Sequence, residues 1–138
     1  MSNALQSKGT KLQYEDGASY VSVAEVTRIT GPNPSKEQID VTHLESSGAY
    51  REYIDSFKDG GELSAEVNFI PATHQDILDD FNNDTQRNWR IVWPDLQTQW
   101  SFAATVRSIS PSASVGEKLS ATITLKVSGA ITQGTYTP

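Results

Sequence analysis

The sequence predicts a mainly β protein, an antiparallel β-sandwich or barrel with one flanking α-helix. Three observations carry that reading. Leu119, Ala121, Ile123, Leu125 and Val127 alternate with Ser120, Thr122, Thr124, Lys126 and Ser128, so one face is apolar and the other small and polar, as in a half-buried strand. One helix is clear, with Ile77, Leu78 and Phe81 forming a single apolar stripe. Strands precede and follow that helix, joined by tight turn signals, which is the order of an antiparallel layer with a helix packed on it.

Taken in chain order, Lys11 to Glu15 and Tyr20 to Thr30 read as a hairpin about Asp16-Gly17, because Asp-Gly supplies the left-handed conformation that a short turn needs. Lys36 to Leu44 follows the breaker Gly31-Pro32-Asn33-Pro34 as a further strand. Residues 45–61 fit neither period and read as a long loop. Tyr50, Tyr53 and Phe57 are isolated aromatics within it, and a helical turn through Tyr50, Tyr53, Ile54 and Phe57 is compatible with their spacing. Leu63, Ala65, Val67 and Phe69 alternate with Ser64, Glu66 and Asn68 as a strand. Thr73 and Asp76 form a capping-box-like pair that starts the helix. Its apolar stripe packs on the sheet while Gln75, Asp79, Asp80 and Asn82 face water, and Asn82-Asn83 ends it. Arg87, Trp89, Ile91 and Trp93 form an aromatic-rich face. Trp100, Phe102, Ala104 and Val106 continue beyond the turn Pro94-Asp95-Leu96. The last strand ends near Gly129, and residues 129–138 read as an extension.

A chain of 138 residues forms one domain with a real core. Its hydrophobic share of 36% is low for a compact globule, which assigns part of it to arms or loops that become ordered on a partner. There is no cysteine, which excludes disulfides and thiolate metal sites. The first ten residues lack the pattern of a signal peptide, and no apolar run reaches membrane-spanning length. The net charge of −6 opposes tight binding of nucleic acid. It suits a surface past which DNA slides, and equally a small domain kept soluble by charge.

Catalytic patterns are lacking. His43 and His74 stand in no metal-ligand spacing. Asp80, Asn82 and Asp84 begin a calcium-loop pattern, but Thr85 stands where glycine is needed and Ile91 where the bidentate glutamate belongs. No phosphate-binding glycine loop or Ser-His-Asp set is present. The expectation is no enzyme, no metal and no cofactor.

The order of elements resembles the tail tube protein of siphophages, the lambda-type major tail protein. The resemblance runs from a polar arm and first strand at Gly9-Thr10-Lys11-Leu12, through Ile29-Thr30-Gly31 and Glu37-Gln38-Ile39-Asp40-Val41-Thr42, into the charged loop. It continues after Gly60-Gly61-Glu62 through Phe69-Ile70-Pro71, the helix, Asn83-Asp84-Thr85 and Trp89-Arg90-Ile91-Val92-Trp93-Pro94. It closes with Val106-Arg107-Ser108-Ile109 and the strand from Thr122 to Gly129. The resemblance is to the family's N-terminal polymerising domain, without the extra C-terminal immunoglobulin-like domain that some members carry.

The resemblance implies a fold shared with the type VI secretion tube: one tail-tube domain over residues 1–138, with an arm over about 1–9, a long loop over about 45–61 and a tail over about 129–138. It implies a structural virion protein of the tail, made in the host bacterial cytoplasm. Copies would stack as hexameric rings, their inner sheets joined into one barrel through which the genome passes. The partners would be the protein itself, the tail terminator, the tape measure and baseplate or tip proteins, with transient passage of double-stranded DNA and no membrane insertion. Tyr50, Arg51, Tyr53, Ile54, Phe57 and Lys58 are expected at inter-subunit contacts. Leu5 and Lys8 in the arm, with Ile131 and Tyr136 in the tail, are expected between rings. Glu25, Glu37, Asp40 and Glu66 are candidate lumen acids. The alternatives are a type VI secretion-like tube subunit and a monomeric β-sandwich binding module, in which the loop aromatics tuck under their own domain.

Overall fold

The computed structural model describes Leu5, residues 8–17 and residues 19–136. Most of the expected N-terminal arm lies outside the described residues. Strand β1 (Lys11–Asp16) turns at Gly17 into β2 (Ser19–Ser22). Glu25, with a left-handed φ of 53°, then redirects the chain. The expected strand from Tyr20 to Thr30 is therefore two strands: β3 (Val26–Thr30) lies at the opposite edge of the sheet from β2. After β4 (Ser35–Asp40) and β5 (Tyr53–Asp59) come β6 (Glu62–Asn68), helix α1 (Gln75–Asn83), β7 (Gln86–Val92), β8 (Thr98–Ser112) and β9 (Ser120–Thr135).

Seven strands form one antiparallel sheet in the order β2-β1-β7-β8-β9-β6-β3, and β4 and β5 form a separate two-stranded sheet. The long strands β8 and β9 join the two halves of the large sheet. The first half of β8 pairs with β7 through Thr105, whereas the rest of it pairs with β9 alone. Bulges between Ser101 and Ala103 and between Val106 and Ser108 bend this pair, and β3 comes close to β1. The sheet thus wraps around a core of Leu12, Trp89, Ile91, Leu63, Ile123 and Leu125, with Ile77 of α1 buried against it.

The helix departs from its expected form. His74, not Thr73, precedes it, without a side-chain cap. The His74 ring is instead buried and accepts a hydrogen bond at Nδ1 from the Ile70 backbone N–H (3.1 Å), while Nε2 lies 2.9 Å from the Ala24 carbonyl. Of the apolar stripe only Ile77 is buried; Leu78 and Phe81 stay 43% exposed. Asp80, expected in water, is buried because Arg87 donates to it at 2.6 Å, and Arg87 also donates to the Glu15 carbonyl at 3.2 Å. Asp84 in a left-handed conformation ends the helix. Leu119 precedes β9 and is half exposed, outside the core the alternation suggests.

Candidate functional site: the projecting hairpin and the open strand edges

Residues 45–61, expected to be a loop, contain a strand. Only a 3₁₀ turn at Ser47–Ala49 is helical, and Tyr53 to Asp59 pairs with β4. Alternation fails to reveal β5 because two residues, Ser56 and Phe57, stand opposite the single Glu37, and such a bulge reverses the parity of the side chains. All of β4 and nearly all of β5 lie at the surface. The hairpin carries Ile39 opposite Ile54 and Asp40 opposite Tyr53, with Phe57 81% and Tyr50 77% exposed. Ion pairs brace it along its length, Lys36 with Asp55 at 3.6 Å and Arg51 with Asp40 at 3.0 Å, and His43 Nε2 lies 3.5 Å from the Glu52 carboxylate. Lys58 stands opposite Lys36. Thr42, by its hydroxyl first and then its backbone N–H, holds the Asp40 carboxyl below its ordinary range, with Arg51 adding to the effect.

Its base is built differently. The Gly61 carbonyl accepts from the Val127 N–H at 3.0 Å, and the Asp59 carboxylate accepts from the Gly61 N–H at 2.8 Å and from Lys126 Nζ at 3.0 Å. These bonds, the Gly61 N–H first, hold the Asp59 carboxyl below its usual range. The site is therefore a polar, well-anchored base carrying an arm with apolar side chains in water. A two-stranded ribbon is marginal alone, and contiguous exposed apolar surface marks an interaction site.

The tail is corrected as well. Residues 129–135 continue β9, and residues 132–135 pair with Thr98 to Ser101. Ile131 packs half-buried against the core. The Tyr136 N–H donates to the Gln97 carbonyl at 2.8 Å, and its ring lies 5.0 Å from the Arg90 guanidinium, which also lies 3.9 Å from the Tyr20 ring. The described tail is thus bound to its own subunit. Leu5 and Lys8 are exposed.

Of the four candidate acids, Glu66 projects from β6 on the face away from the core and stands opposite Arg28. Glu25 sits in the β2–β3 turn, where it accepts from Asn68 Nδ2 at 3.4 Å. Glu37 and Asp40 belong to the hairpin. Among the described residues, strand edges are open: β3 has β6 as its single neighbour in the sheet, and β8 beyond Thr105 pairs with β9 alone. Among the described residues no cluster of His, Asp or Glu could hold a metal, and no helix is long and apolar enough to cross a membrane.

Strand edges open to pairing and an apolar arm on a polar base define a subunit made for association. The Lambda phage tail tube protein family matches residues 6–134, and the chain belongs to that family. No curated protein sequence matches it. A chain of the tail of an empty GTA particle, with C6 symmetry, superposes with a TM-score of 0.78 at 20% identity, covering 94% of this chain and 98% of that one. The SPP1 tail tube gives 0.70 at 14%, covering 92% and 77%. A chain of the anti-feeding prophage baseplate gives 0.73 at 17%, covering 96% and 97%. The protein is a structural subunit of a phage tail tube, not an enzyme.

Proposed function

We propose that the subunits form hexameric rings that stack into a hollow tube for passage of the genome. The observation that carries the reading is the exposed β4–β5 hairpin, whose Tyr53, Ile54 and Phe57 stand at the surface of their own subunit. Sixfold symmetry in the GTA tail supports the hexamer. Within a ring, the free edge of β3 would pair with the free second half of β8 in the next copy, extending the ladder by main-chain hydrogen bonds. The hairpin, together with Leu5 and Lys8 of the arm, would reach an adjacent ring, where its apolar side chains lose water. The same fold in the sheath–tube complex of an extracellular contractile injection system leaves both bare and sheathed tails open to this subunit. Terminator, tape measure and baseplate or tip proteins would cap and measure the tube, which would be assembled in the bacterial cytoplasm.

Negative-stain microscopy of the purified protein tests the reading. Hollow rods of uniform width are the expected result. Monodisperse particles at every concentration would leave the binding-module reading in its place.

A further inference from the structure

Strand β3 is a five-residue edge strand, paired in the sheet with β6. A bulge between Val26 and Arg28 interrupts that pairing. The turn that leads into it is strained: Glu25 holds a φ of 53°, a left-handed conformation that a residue with a long side chain keeps only where its surroundings enforce it. Two contacts do so. The Asn68 N–H donates to the Glu25 carbonyl at 3.0 Å. The imidazole of His74 reaches the Ala24 carbonyl with Nε2 at 2.9 Å, across 50 positions of sequence.

His74 is 3% exposed. A carbonyl only accepts, so Nε2 carries the ring hydrogen and Nδ1 accepts from the Ile70 N–H at 3.1 Å. Both nitrogens of the buried ring are thereby used, one on the turn that opens α1 and the other on the turn that opens β3. The ring stacks on Phe69, with centroids 5.8 Å apart and planes at 15°. It borders a cavity of about 160 Å³ lined by Ile77, Leu78, Ile109 and Pro111. A phenylalanine would serve the packing there; the histidine adds a bond to Ala24 that no apolar ring can make.

We infer that His74 is a positioning residue for assembly: its Nε2 bond to Ala24 holds the entry of β3, so that this strand presents its edge to the next copy already in line. The inference rests on the ring-pairing reading and deepens it. An edge strand that must order at the moment of pairing gives up part of the binding free energy to that ordering, whereas one held beforehand does not. The far end of β3 is fixed by close backbone packing, since a Cβ on Gly31 would lie 2.5 Å from the Glu62 carbonyl oxygen. The near end depends on the Glu25 turn, and so on the bonds from Asn68 and His74 that hold it. Because His74 immediately precedes α1, the same ring ties the helix to the edge strand.

Substitution separates the two bonds. In His74→Asn the short amide places its Oδ1 where Nδ1 stood, which keeps the local bond to Ile70 and loses Ala24. The longer amide of His74→Gln reaches Ala24 with its NH₂ donor. His74→Phe keeps the stack and loses both bonds. Hydrogen exchange is followed on each dissociated subunit. Assembly is followed by sedimentation across a dilution series, at a temperature where circular dichroism shows the variant folded. One hydrogen bond lost at a buried carbonyl changes such an equilibrium about tenfold. His74→Asn and His74→Phe should therefore show exchange within Val26–Thr30 about tenfold faster and a critical concentration about tenfold higher. His74→Gln should stay close to the wild type, and exchange in β8 and β9 should be unchanged in all three. If His74→Phe fails to fold, the Asn and Gln variants decide alone. His74→Asn matching the wild type while His74→Gln does not would mean that the ring serves only the turn before α1, and overturns the inference. A folded His74→Phe subunit that assembles at the wild-type concentration overturns it too. In both cases wild-type tubes leave the tube reading standing. Failure of the wild-type protein to form tubes overturns that reading, and the assembly role of His74 with it.

Discussion

Replacing Tyr53 and Phe57 by serine tests whether the hairpin drives assembly. A phenylalanine presents about 200 Å², and Phe57 leaves 81% of its surface in water. Covering half to all of that exposed area in a neighbouring subunit buries roughly 80–160 Å², or about 2–4 kcal/mol at 25 cal/mol per Å². Tyr53, 53% exposed, adds roughly 1–2 kcal/mol on the same scale. Part of the total is lost to ordering of the side chains on docking, so a net loss of about 3 kcal/mol per contact is expected. That corresponds to a rise of roughly a hundredfold in the critical concentration for polymerisation. Neither residue belongs to the buried core, so the isolated subunit should melt within about 2 °C of the wild type. Sedimentation across a dilution series measures the critical concentration, and thermal denaturation by circular dichroism measures the fold. A folded double variant whose critical concentration stays within about threefold of wild type would refute the assignment of the hairpin as an association surface.

Other predictions concern the scaffold that holds the hairpin and edges in place. Arg87→Ala strands the buried Asp80 carboxylate and should cost about 2–3 kcal/mol in urea denaturation, less than for a fully buried pair because Arg87 keeps a quarter of its side chain in solvent; Arg87→Lys should recover part of the loss. Gly61→Ala puts a methyl group against the Asn33 carbonyl at a φ of +75°, and should destabilise the hairpin base by at least about 1–2 kcal/mol, visible as faster proteolysis within residues 35–61. Tyr14 is pushed up to about 12, first by burial and then by the Asp76 carboxylate that accepts its hydroxyl at 3.2 Å. Its protonated form is favoured in the folded protein, so its contribution is complete below about pH 10, where the unfolded tyrosine titrates. Stability should then fall between about pH 10 and 12, and Tyr14→Phe should flatten that fall in denaturant titrations at stepped pH.

Most of the sheet was legible because β6, β8 and β9 bury one face and expose the other, which writes their pairing partner's needs into a period of two. The helix was legible as an element but not in its packing. Asp80 is buried through Arg87, seven residues on in the sequence and across a turn, and no local pattern encodes such a contact. The tail was misread because Gly129 and Gly134 interrupt the alternation of β9, while its pairing depends on Thr98 to Ser101. A glycine in a strand weakens the signal without removing the strand.

The hairpin shows a different kind of illegibility. Its residues are chosen neither for burial in their own subunit nor for solvation, since Ile39, Ile54 and Phe57 stay exposed beside ion-paired Lys36, Asp40 and Arg51. A periodic pattern arises only where one face meets a core, and in the proposed tube the core this ribbon meets would belong to another copy. Sequence period reports what a strand owes its own core. Association surfaces become readable once the sheet order shows which edges and which charges the subunit leaves for its neighbours.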